Sequence, residues 1–120
     1  MTLRGLRGAT HLSADDAAEM NEAVVELVSA MLERNGLAVD DVISVIFTST
    51  PDLISAFPAA AARDLGFHEV PLLCASEIDV GGALPRVVRV LMHADLDMPR
   101  SEIQHVYLRG AETLRQDLVQ

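Results

Sequence analysis

The chain has no lysine and no tryptophan, and only one cysteine, one tyrosine and three phenylalanines among its 120 residues. Each scarcity removes a class of chemistry. Without lysine there is no Schiff-base amine and no phosphate-loop ammonium, so every permanent side-chain cation is a guanidinium. The nine arginines form no run and stand against a formal net charge of -9. With so few aromatic faces for stacking, that balance argues against a nucleic-acid surface. Cys74 has no second cysteine to pair with, so no internal disulfide is expected. No apolar run approaches the roughly 20 residues of a membrane helix. The opening MTLRGLRGAT has neither a signal-peptide core nor an acidic-poor amphipathic targeting helix. A cytoplasmic protein without membrane contact is therefore expected.

What is present is apolar material: half of the residues are hydrophobic. That suffices for one core, and a single domain over residues 1–120 is expected. Residues 2–8 alternate as a strand with Leu3, Gly5 and Arg7 on one face, Gly5 leaving room for an approach to the backbone. SADDAAEMNEAVVELVSAMLERNG predicts a long helix capped by Ser13 and stopped at Gly36, burying Met20, Val24, Leu27, Val28 and Met31. DVISVIFTST reads as a covered strand ending at Pro51, and FPAAAARDL as a short helix opened by Pro58 and presenting Arg63. Strands follow in EVPLLC, in residues 86–94 and in IQHVYLR. The order β, α, β, α, β, β, β predicts an α/β (α+β) fold: a mixed sheet with helices on one face. The second, apolar sheet face is left for oligomerisation to cover, and a subunit interface becomes a candidate ligand site.

Within the strand of residues 86–94, PRVVRVLMHAD places Arg89 among branched aliphatics. A guanidinium stays charged, so a strand covered on both faces must bring it an anion or a dense set of acceptors. Glu77 and Asp79 follow the preceding strand, where either carboxylate would pair with Arg89 as a structural salt bridge or as part of a site. Other chemistries fail on spacing. His11, His68, His93 and His105 are scattered and no cysteine pair exists, so no metal site is expected. FTSTPDL is no nucleophile elbow, its hydroxyls reading as turn or strand-end hydrogen bonders, and VGG is too poor in glycine for a dinucleotide loop. Cys74 reads as a small apolar packer or as a nucleophile, Tyr107 as a packed ring with a wet hydroxyl, and Arg7, Arg63 and Arg115 as solvated charges or anion binders.

RGLRGAT, STPDLISAFPAAAARDLG, VPLLCASEIDVGG followed by RVVRVLMH, and HVYLRGAETLRQDL, in this order, resemble the monofunctional chorismate mutases of the small trimeric class along essentially the whole chain. The resemblance implies a homotrimer forming a pseudo-α/β barrel, with active sites between subunits, that converts chorismate to prephenate without cofactor, metal or covalent intermediate. It also implies roles. Arg89 would meet the ether oxygen, Arg7 the side-chain carboxylate with Tyr107 assisting, and Glu77 the ring hydroxyl beside Cys74. Phe57 and Ala59 would form a wall from the neighbouring subunit, Arg63 would lie near the ring carboxylate at the mouth, and Leu114 and Arg115 would belong to a closing tail. Two positions depart from the family pattern: Ala60 stands where a lysine is common and Gln116 where a proline is. Two other readings carry different chemistry. One is an imine or enamine deaminase of a related trimeric fold, for which a convincing C-terminal motif is lacking. The other is a trimeric module for binding small anions, in which Arg89 and Glu77 are a structural pair.

Overall fold

The computed structural model describes residues 1–114. Its first helix, α1 (Ala17–Arg34), buries Met20, Val24, Leu27, Val28 and Met31 as the spacing predicts, with Ala23 added to the stripe. The expected cap is corrected. Asp16, with extended backbone, accepts from the Glu19 amide at 2.8 Å and caps the helix. Ser13 lies farther out and instead donates its amide and hydroxyl to the Glu19 carboxylate at 2.6 and 2.8 Å. After Asn35 the chain turns at Gly36, whose φ of 64° suits a residue without Cβ.

Five strands form one mixed sheet: β1 (Leu3–His11), β2 (Val42–Ser49), β3 (Leu72–Ser76), β4 (Val87–Asp95) and β5 (Val106–Leu108), in the order β3-β2-β4-β1-β5. β4 runs antiparallel to both β1 and β2, while β3 and β5 add parallel strands at the edges. The second helix, α2 (Pro58–Asp64), begins at its proline as expected. Val88, Val90, Met92 and Ala94 of β4, with Leu6 of β1 and Val45 and Phe47 of β2, form the face buried beneath the helices. Close packing there depends on Gly8, because a Cβ at that position would meet Met31 Sδ at 2.6 Å and Leu27 Cδ1 at 3.1 Å. The residue that needs to be glycine is thus Gly8 against α1. A Cβ on Gly5 would make an ordinary 3.9 Å contact with Leu91.

Strand limits differ from the sequence reading where side chains replace the backbone ladder. β1 continues to His11, paired with β4 as far as Val87. β3 starts only after Pro71, whose carbonyl accepts from the Val45 amide at 3.0 Å but which has no N–H to offer. β5 is only three residues long. Ahead of it, the buried Asn35 side chain takes both backbone groups of Gln104, donating to its carbonyl at 2.9 Å and accepting from its amide at 2.8 Å. His105 Nδ1 accepts the Arg7 amide at 3.0 Å. These side chains satisfy groups that a longer strand would have paired.

Candidate active site

Pairing register carries five residues across the sheet in one row on the face away from the helices: Tyr107, Ala9, Arg89, Thr48 and Ala75, one from each strand. The next row on that face is Arg7, Leu91, Ile46 and Leu73. Strand alternation makes this arrangement, since β4 sends its even-numbered residues into the core and Arg89, Leu91 and His93 to the opposite side. Arg89 is therefore not covered on both faces. Its side chain is half exposed, on a wall of a cavity of about 460 Å³ that also involves Arg7, Thr48, Tyr107 and Leu114.

Glu77, not Asp79, meets Arg89: Glu77 Oε1 stands 3.4 Å from Arg89 Nη1. Glu77 is held more tightly than its position in a loop suggests. Its amide donates to the Ser49 carbonyl at 2.9 Å, and Oε2 accepts from the Thr48 hydroxyl at 2.7 Å. Only 13% of its side chain is exposed, against 50% for Arg89. A pair with one partner so open adds little to stability, on the order of 0–1 kcal/mol. Its consequence is directional: the carboxylate and strand β4 together restrict where the guanidinium reaches. Two guanidiniums, one phenol and apolar walls from Ile46 and Leu91 suit a small organic anion with an apolar part.

The remaining predicted residues gather elsewhere. Phe57 and Cys74 line a separate groove with Ser49, Leu53, Ile54 and Pro58. Cys74 pairs in register with Phe47 and thus belongs to the helix-side face of β3, so it does not stand beside Arg89 within the protomer. The loop before Phe57 is fixed by Asp15, whose carboxylate accepts the Ile54 and Ser55 amides, each at 3.0 Å, while Phe57 itself is 75% exposed. Ala59 is packed into the protomer's own core and offers no open wall on this chain. Arg63 is exposed on α2, and Ala60 is exposed nearby. Leu114 reaches the Arg89 cavity from a short 3-10 turn, Ala111–Leu114. Arg115 and Gln116 lie outside the described residues.

Thr48, Ile46 and Leu91, with Gly8, Ala9 and Val90, are the lining residues that sequence reasoning did not single out. The signal for Thr48 was available in part: in FTST it keeps the parity of Ile46, two positions earlier, and so shares its face. Its partner Glu77 is 29 positions away and no local pattern connects them. Among the described residues no three His, Cys, Asp or Glu side chains gather as a metal-ligand set, and no helix is long and apolar enough to cross a membrane.

Fold and cavity together define a small α/β protein that carries two guanidiniums, Arg7 and Arg89, on the helix-free face of its sheet. The family model of chorismate mutase type I matches residues 3–118, and the chain belongs to that family. It is 50% identical over 117 residues to the chorismate mutase AroH of Thermus thermophilus, covering 97% of this chain and 96% of the relative. It is 40% identical over 119 residues to the chorismate mutase AroH of Bacillus subtilis (strain 168), covering 98% and 94%. A solved chorismate mutase from Clostridium thermocellum superposes with a TM-score of 0.90 at 46% identity, covering 92% of this chain and 98% of that one.

Proposed function

We propose that the cavity walled by Arg7, Arg89 and Tyr107 is where this chorismate mutase folds chorismate and carries it to prephenate. The reaction is a pericyclic rearrangement in which one carbon–oxygen bond breaks as one carbon–carbon bond forms, within a single molecule. No proton need move and no covalent partner is needed. What the protein contributes is confinement of the enolpyruvyl side chain over the ring, and a cation where the ether oxygen gains negative charge.

The observation that carries this assignment is Arg89 itself: a guanidinium in the middle of the central strand, open to a cavity on one side and held by Glu77 on the other. A charge so placed undergoes little reorganisation when charge develops in the transition state. In the same reading Arg7 takes the side-chain carboxylate with the Tyr107 hydroxyl, Glu77 accepts from the ring hydroxyl, and Leu114 stands at the mouth.

Phe57, Ala59, Arg63 and Cys74 belong to the site only if a neighbouring chain supplies them, and we place the complete site between subunits of a homotrimer. Support comes from the helix-free sheet face, where Leu73 and Leu91 are 61% and 38% exposed in one row with Ile46. The separation of the Phe57 groove from the Arg89 cavity within one protomer argues the same way. A lone thiol at Cys74 fits a reducing compartment, and we place the enzyme in the cytoplasm.

The test is chorismate turnover by the purified protein and by Arg89→Ala. The variant should lose at least about 100-fold in kcat, the scale of removing a donor aimed at a transition-state charge. Replacing Arg89 with a neutral hydrogen-bonding isostere separates charge from shape: full turnover by that protein rules out the electrostatic role.

A further inference from the structure

The Arg89–Glu77 pair has a third member. From the 2.7 Å hydrogen bond between Thr48 Oγ1 and Glu77 Oε2, we infer that Thr48 is a positioning residue for chorismate rearrangement, aligning Glu77 and through it Arg89.

Register puts Thr48 directly opposite Arg89 on the neighbouring strand, with both side chains on the open face and both lining the same cavity. Glu77 directly follows the end of β3 and meets both members of this pair. Its two carboxylate oxygens are divided: Oε2 accepts from the threonine hydroxyl and Oε1 faces Arg89 Nη1 at 3.4 Å. A hydroxyl that donates to a carboxylate fixes the plane of that carboxylate. With Oε2 oriented, Oε1 is aimed at the guanidinium, and lone pairs remain for a substrate hydroxyl. Loss of the Thr48 donor frees Glu77 to rotate about its side-chain bonds, and Arg89, half exposed, loses the partner that limits its own rotamers. The methyl group of Thr48 has no part in this, so the inference concerns one oxygen atom.

This inference rests on the assignment of Glu77 and Arg89 to the site, and the experiment separates the two. Thr48→Val keeps a β-branched shape suited to the strand and removes the hydroxyl. It should lower kcat/KM by about 10-fold or more, as expected for losing a hydrogen bond to a charged group, with most of the loss in kcat. Thr48→Ser restores the hydroxyl without the methyl and should keep most of the activity. In a Glu77→Gln background, Thr48→Val should cost little further, because the two residues act as one unit. Thermal unfolding of each variant monitors the fold, and Thr48→Ala serves the same comparison if the valine variant unfolds early. Full activity of the valine variant, equal impairment of valine and serine variants, or additive losses with Glu77→Gln would each overturn the role of Thr48 alone. Undiminished turnover by Glu77→Gln itself would instead remove the site assignment on which the inference stands.

Discussion

At the scale of the residue, position on the sheet separates the arginines by function more sharply than charge does. Arg89 and Arg7 stand on the open face and line the cavity. Arg109 is consumed by structure: with φ of 55° it turns the chain out of β5, and its guanidinium donates to Glu26 and Glu22 of α1 at 3.1 and 3.0 Å. Arg4 reaches the Met98 carbonyl at 2.8 Å. Arg63 is exposed on α2, outside the Arg89 cavity, so the proposed site gives it the capture of substrate and leaves bond rearrangement to Arg89. Arg63→Ala should therefore raise KM with a smaller change in kcat, the pattern of an interaction equally strong in ground and transition states. Steady-state kinetics on chorismate decide it, and a collapse of kcat at constant KM contradicts the rim role. With Ala60 beside it in place of the lysine common in the family, the effect on KM should be pronounced, since fewer cations share the steering.

At the scale of the element, helix α1 is fastened at its start by carboxylates whose protonation has a predictable sign. The Ser13 amide, then its hydroxyl, holds the Glu19 carboxyl below its ordinary range, with partial desolvation opposing and the Ala14 amide and Arg109 adding to the lowering. A carboxyl lowered by folding stabilises the folded state fully above its unfolded value, and that stabilisation is lost as pH falls through the lowered folded value. Glu19→Gln should thus reduce stability at neutral pH, and the gap to the parent protein should close from about pH 4 downward. Denaturant unfolding at several pH values checks this, and a gap that widens in acid refutes it. The same helix shows what sequence alone made legible. Its buried stripe followed from apolar spacing, which burial enforces over five turns, whereas the expected cap, Ser13, gave way to Asp16, because backbone geometry and not residue type fixes which side chain reaches the first free amides. Likewise β2 was readable from its β-branched run. The length of β5 was not, because Asn35 and His105, far apart in sequence, settle which backbone groups need a strand partner. Arg89 was conspicuous as a charge among aliphatics, but which side of β4 it takes was not legible until the strand register set it with Leu91 and His93 away from the helices.

At the scale of the whole molecule, the sheet is a layer with one helix-covered side and one open side that combines charged and apolar rows. Tyr107, Arg89 and Thr48 make one row, and Leu91, Ile46 and Leu73 continue beside it from Arg7. An open apolar row bordering a charged cavity is what a shared site requires, since closing the contact also completes the cavity and excludes water from it. If Arg89 serves a site together with Phe57 of a neighbouring chain, two inactive proteins should repair one another. Arg89→Ala retains the Phe57 side, and Phe57→Asp, which sets a carboxylate against a dianion, retains the Arg89 side. Unfolded separately, mixed in equal amounts and refolded, they should assemble trimers in which about one site in four draws both intact halves, one from each kind of chain. Chorismate turnover should rise from the two baselines to about a quarter of the parent value, while either variant refolded alone stays at its baseline. A site contained within one protomer predicts no recovery at any mixing ratio, because each chain would then keep its own defect. Recovery that tracks the fraction of mixed trimers, measured by the mass of the assemblies, ties catalysis to the interface and leaves folding efficiency out of the comparison.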